Sequence, residues 1–131
     1  MFVDASVLSA MMTDEEEARN FAARMQAATT RMTSPLAAAQ AAIEVAARLG
    51  MTPADAGDAV RAFLGLMNIQ LLAIPPRAAF QAIEVHGRYG EGRHPAALSL
   101  NDCMTYACAR YYRQALLSRS DGFAQTDIEA A

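Results

Sequence analysis

The chain opens Met1-Phe2-Val3-Asp4-Ala5-Ser6-Val7-Leu8, and the reading of this stretch decides the fold. It places one carboxylate, Asp4, at the end of an apolar strand that begins an α/β chain. Buried strands in such folds deliver their last residues to the crevice at the carboxyl edge of the sheet, where ligands and metals bind. An Asp followed two residues later by Ser also suits a helix N-cap. The two roles are compatible in one side chain.

The 131 residues predict a single domain, 1–131, with one hydrophobic core. No apolar run approaches the roughly 18 to 20 residues of a membrane span, and Asp4 with Asp14 to Glu17 breaks any signal-peptide pattern. The expectation is a soluble, cytoplasmic protein with no membrane partner. Cys103 and Cys108 fall in one expected helix and read as small buried thiols rather than a disulfide or metal pair.

The formal net charge is −3, which excludes the basic bulk of a nonspecific nucleic-acid binder. All 11 basic side chains are Arg and none is Lys. Arg88, Arg93, Arg110, Arg113 and Arg119 occupy the last third, and on a common rim they would hold a phosphate backbone bidentately.

After the first strand, Ala5 to Met12 reads as a short helix. Thr13-Asp14-Glu15-Glu16 reads as a capping box, with Thr13 as cap, opening a second helix to about Ala28. Thr29 to Thr33 is expected as a strand, and Ser34-Pro35 starts an Ala-rich helix to Leu49. Thr52-Pro53 repeats that cap-and-proline pattern before a helix carrying Val60, Phe63, Leu64 and Met67 at helical spacing. Ile69 to Ile74 reads as a strand covered on both faces.

Arg77 to Tyr89 is then a helix, Gly90 to Pro95 a loop, and Leu98 to Asp102 a helix start whose body reaches Tyr112. Ala115 to Ser118 is a strand, and a short extended piece around Thr126 to Ile128 closes the chain. Strands alternating with helices predict a three-layer α/β fold, a central parallel sheet covered by helices on both faces.

Asp4, Asp102 and Asp121 fall at element junctions that a parallel sheet would gather. Carboxylates and water favour hard, octahedral Mg²⁺ or Mn²⁺, whereas His or Cys would have pointed to zinc. Such ions lower the pKa of bound water and stabilise charge on a scissile phosphate. Each Asp is equally suited to a cap or turn. A receiver-like or phosphatase-like use of Asp4 as nucleophile is disfavoured because no Lys exists to meet the phosphoryl group.

Met1 to Leu8, Met32-Thr33-Ser34-Pro35-Leu36, Tyr89 to Leu98, Asp102-Cys103 with Tyr106-Ala107, and Leu116 to Ile128 resemble, in order and spacing, the PIN-domain toxins of the VapC family. The resemblance implies a PIN-like fold and a metal-dependent endoribonuclease, often cutting structured RNA such as tRNA. It further implies a VapB-type antitoxin and a homodimer, for which Met11, Met12, Phe21 and Met25 are surface candidates unless they serve the core. It makes Asp4 the first metal-binding acid, Ser6 the hydroxyl that follows it, Asp102 the third acid, and Asp121 the acid kept from the last motif.

The chain departs from the family in three places. The second acid, a Glu on the helix after Ser34-Pro35, is matched by Gln40, which is neutral and attracts a divalent cation far less well. Glu44 lies one turn on, about 6 Å along the axis, and is the candidate compensating acid. Asn101 stands for the family's Gly before Asp102, and Gly122 for the second acid of the last motif. These departures keep open a second reading, a PIN-like module that binds antitoxin or RNA without cutting. His94, before Pro95, reads as a structural hydrogen-bonding residue rather than a proton-transfer group.

Overall fold

A computed structural model describes residues 1–131. Four short strands, β1 (Phe2–Val3), β2 (Met32–Thr33), β3 (Gln70–Leu71) and β4 (Leu116–Leu117), form one sheet in the order β3-β2-β1-β4. Every pairing is parallel, with Phe2 opposite Met32 and Leu116, and Met32 opposite Gln70. Ala130 extends the outer edge by a parallel bridge to Leu116.

The strands are short, yet their alternation sets the layers. Phe2, Met32 and Leu116 face one core, packed with Cys103, Tyr106 and Cys108 of α6 (Leu100–Tyr111) and with Ala82 and Val85 of α5 (Ala78–Tyr89). Val3 and Leu117 face the other, with residues of α1 (Ala5–Thr13), α2 (Glu15–Gln26), α3 (Pro35–Leu49) and α4 (Pro53–Leu66). Successive side chains of a strand point to opposite faces, so two residues suffice to bind both layers to the sheet. This is the expected three-layer arrangement. No helix is long and apolar enough to cross a membrane.

Side-chain chemistry explains the helix starts. Ser34 Oγ accepts from Ala37 N at 3.1 Å and Thr52 Oγ1 from Asp55 N at 3.1 Å, each followed by proline in the first helical turn. Gly50, at φ 64°, ends α3 in the left-handed conformation that favours glycine.

Three sequence expectations are corrected. Thr13 is the last residue of α1, its hydroxyl turned back to Ser9 O, and Asp14 caps α2 by accepting from Glu16 N and Glu17 N. Ile69 to Ile74 pairs only at Gln70 and Leu71, and both are exposed because β3 is the sheet edge. Asp121 begins a short helix, α7 (Asp121–Ala124), and the closing paired residue is Ala130 rather than Thr126 to Ile128. Met11, Phe21 and Met25 are buried in the core, with Met12 packed against it. They serve the core, in agreement with the core reading of these side chains.

Candidate active site

Asp4 leaves β1 in extended backbone and caps α1, which fixes its carboxylate at the carboxyl edge of the sheet. One oxygen, Oδ2, takes all of its protein hydrogen bonds: Ser6 Oγ donates at 2.6 Å, Ser118 Oγ at 3.0 Å and Ser6 N at 3.4 Å. Oδ1 receives no protein donor. Ser118 was not singled out from the sequence. It stands just after β4, next in the sheet to β1, so pairing register alone brings it to Asp4. The following turn is tied in as well, with Arg119 N donating to Ser6 Oγ at 3.1 Å and Ser120 N to Ser118 Oγ at 3.0 Å.

Asp102 is held by a capping box at the start of α6. Ser99 N donates to Asp102 Oδ2 at 3.0 Å, and Asp102 N donates to Ser99 Oγ at 3.2 Å. One carboxylate oxygen is thereby used and the other is free of protein donors. Burial pushes the Asp4 carboxyl above its usual range, Ser6 and Ser118 oppose that rise, and the Asp102 charge adds to it. The two acids therefore feel one another, and neither is paired with an arginine.

Other sequence-selected residues are less closely gathered. Asp121 is exposed at the first position of α7, where Ser120 supplies the cap. Gln40 is exposed on α3 and its side chain makes no hydrogen bond. Glu44 is engaged by Arg48 at 3.0 Å, and Arg48 lies 3.5 Å from Thr13 Oγ1. That pair sits against the last residue of α1, while Asp4 caps the first turn, about 13 Å of helix rise away. No three Asp, Glu, His or Cys side chains form a group able to hold a metal ion. Gly122 has a steric reason: a Cβ there would lie 2.7 Å from Ala96 O.

The five arginines do not share one rim. Arg88 and Arg110 converge on Asp127, at 3.1 and 3.2 Å, where Tyr106 also donates to the carboxylate. This clasp, hidden from sequence reading by its long separations, holds Asp127 down to about 2 through the Tyr106 hydrogen bond first and the two guanidinium groups next. Arg119 pairs with Glu17 at 3.0 Å, leaving Arg93 and Arg113 exposed without acidic partners. His94 Nδ1 accepts from Ala96 N at 3.0 Å and its ring meets Tyr89 edge-on. Cys103 and Cys108 are buried free thiols, and burial pushes Cys108 up to about 11.

The donor set fits a hard divalent cation. Asp4 is 6% exposed, carries an oxygen with no protein donor, feels the charge of Asp102, and has no arginine paired with it. Mg²⁺ is commonly held by one or two carboxylates with several waters retained.

A parallel sheet ending in a buried aspartate, with a second aspartate on a flanking helix, suits a PIN domain, and the PIN domain family model matches residues 1–129. Ribonuclease VapC30 of Mycobacterium tuberculosis is 33% identical over 128 residues, covering 98% of this chain and 95% of its own. Ribonuclease VapC of Mycolicibacterium smegmatis is 32% identical, covering 99% and 98%. The chain belongs to the VapC ribonuclease family of PIN-domain proteins. The crystal structure of Mycobacterium tuberculosis VapC20, described as a sarcin-ricin loop cleaving toxin, superimposes with a TM-score of 0.74 at 21% identity, covering 99% of this chain and 97% of that one.

Proposed function

We propose that residues 1–131 form a single PIN domain that works as a metal-dependent endoribonuclease toxin in the cytoplasm, restrained by a VapB-type antitoxin and self-associating as a homodimer. The observation that carries this reading is the coupled pair Asp4 and Asp102, two carboxylates without a cationic partner, in a chain of VapC ribonuclease kinship. These residues would hold Mg²⁺ or Mn²⁺, with Asp121 assisting from α7. The ion would supply an acidified water and charge stabilisation at the phosphate. Ser6 and Ser118 orient Asp4 through Oδ2 and leave Oδ1 free for the cation. Of the five arginines of the last third, Arg93 and Arg113 are free to meet the RNA backbone, whereas Arg88, Arg110 and Arg119 would first have to leave their carboxylates.

The test is cleavage of a mixed tRNA pool and of a sarcin-ricin loop oligonucleotide with Mg²⁺ or Mn²⁺. Cutting abolished by EDTA, and reduced at least about 100-fold in Asp4→Asn and Asp102→Asn, is expected. Cutting that survives in both variants overturns the site.

A second reading, a PIN module that binds antitoxin or RNA without cutting, is favoured by neutral Gln40, by Glu44 lying on Arg48, and by the lack of a three-acid group. Binding of RNA or antitoxin by a protein that cuts no substrate at any metal concentration would make it the better description.

A further inference from the structure

We propose that Arg119 is the arginine that takes an RNA phosphate beside the Asp4 crevice, and that Glu17 holds it in reserve until the phosphate displaces the Glu17 carboxylate. The inference deepens the nuclease reading and rests on it for RNA as the ligand.

Arg119 belongs to the site through its backbone. Its N–H donates to Ser6 Oγ at 3.1 Å, and that hydroxyl donates in turn to Asp4 Oδ2 at 2.6 Å. On either side of it, Ser118 Oγ donates to the same carboxylate oxygen and Ser120 N to Ser118 Oγ, so the turn is fixed to the crevice. No other arginine has its backbone bonded to Asp4, Ser6 or Ser118. Arg113 follows the far end of α6, where about 14 Å of helix rise separates Asp102 from Tyr111. The Arg93 N–H is spent on Gly90 O.

The guanidinium, by contrast, is loosely held. It meets Glu17 through one pair of atoms at 3.0 Å, both side chains are partly exposed, and it makes no side-chain hydrogen bond anywhere in the chain. Arg88 and Arg110 are bound more closely, Arg88 by hydrogen bonds to Tyr89 and Asp127, and Arg110 by bonds to Tyr106 and the Asp127 carbonyl. Glu17 also stands in the first turn of α2, where the helix dipole favours the carboxylate and opposes the guanidinium beside it. A phosphate offers two oxygens to the guanidinium fork where Glu17 engages one nitrogen. Exchanging one anion for the other needs rotation of an exposed side chain and no movement of the bonded turn. Glu17 and RNA therefore compete for Arg119.

Binding of a fluorescent sarcin-ricin loop oligonucleotide in EDTA, followed by anisotropy, tests the exchange, with circular dichroism to confirm that each variant folds. A backbone contact is read on any sequence. Arg119→Ala is expected to raise Kd about 5- to 20-fold and to lower the slope of log Kd against log salt by about 0.7 to 0.9, with Arg119→Lys between it and the native chain. Glu17→Gln is expected to lower Kd about two- to fivefold. Glu16→Gln makes the same charge change in the same turn without an arginine partner, and is expected to stay within about twofold of native. In the Arg119→Ala background, Glu17→Gln is expected to add nothing. With Mg²⁺, the same substitutions are expected to move KM for RNA cleavage more than kcat. Native Kd and salt slope in Arg119→Ala, or a Glu17→Gln gain that persists without Arg119, overturns the exchange and leaves the nuclease reading standing. Binding that responds as expected in a protein that cuts nothing overturns the nuclease reading alone. A native chain that binds no RNA overturns both.

Discussion

Ser118 and Asp4, 114 positions apart in the chain, meet hydroxyl to carboxylate, with Ser118 Oγ donating to Asp4 Oδ2 at 3.0 Å. Ser6 Oγ reaches the same oxygen at 2.6 Å, so one edge of the carboxylate is occupied and the other is presented to the crevice. Ser118→Ala removes half of that orientation. Metal affinity, measured by Mn²⁺ titration, is expected to fall about 10- to 100-fold, the usual effect of losing an outer partner of a ligating carboxylate. Ser118→Thr keeps the hydroxyl and is expected to restore most of it. Equal affinity in all three proteins would show that Ser6 alone positions Asp4.

Asp4 also sets a pH dependence of stability. Burial raises its folded pKa above the ordinary 3.8, so the folded state keeps its proton to a higher pH than the unfolded state does. Between those two values folding is favoured less and less as pH rises, and the loss is complete once the pH has passed the folded value. Asp4→Asn removes it. Its thermal unfolding at pH 7 is expected to show a gain of about 0.5–2 kcal/mol, typical of relieving a functional position. The gain should shrink as pH approaches 4. A gain independent of pH would point to packing rather than ionisation.

Position 122 carries a steric prediction. Placing there the acid that the resemblance implies sets a Cβ 2.7 Å from Ala96 O, a backbone atom that cannot swing aside. Gly122→Asp is expected to destabilise by about 1–3 kcal/mol in urea unfolding. Gly122→Ala, which carries the same Cβ without the charge, is expected to match it. A neutral Gly122→Ala would place the cost in the carboxylate instead.

What the chain reveals before folding is uneven, for physical reasons. Local chemistry is legible: Ser34 and Thr52 before proline, and Asp4 before Ser6, each name a cap that the backbone then uses. Thr13 and Asp14 are both good caps, and only the preceding helix, which claims Thr13 as its last residue, decides between them. Ile69 to Ile74 is apolar enough for a central strand, but edge position is a property of strand order, not of composition. Ser118 and Asp127 gain meaning only from partners brought across the sheet and over α6. The acids Asp4 and Asp102 were legible because each ends or opens an element, whereas the turn of Glu44 to Arg48 depends on a rotamer that no pattern encodes.

Gln40 stands where the resemblance to the VapC toxins implies a second acid. The side chain is exposed, hydrogen-bonds to nothing, and supplies one neutral acceptor where a carboxylate would add charge. Gln40→Glu is expected to tighten Mn²⁺ binding and to raise RNA cleavage at least about tenfold over the parent at limiting metal. Because Glu44 is committed to Arg48, Glu44→Gln is expected to leave parental cleavage unchanged, and Arg48→Ala, which frees Glu44, to raise it or leave it equal. If Glu44→Gln instead silences the parent and Gln40→Glu adds nothing, Glu44 has taken over the second acid's work from one turn further along α3. Should neither variant alter cleavage, the two aspartates suffice and the second acid is dispensable in this chain.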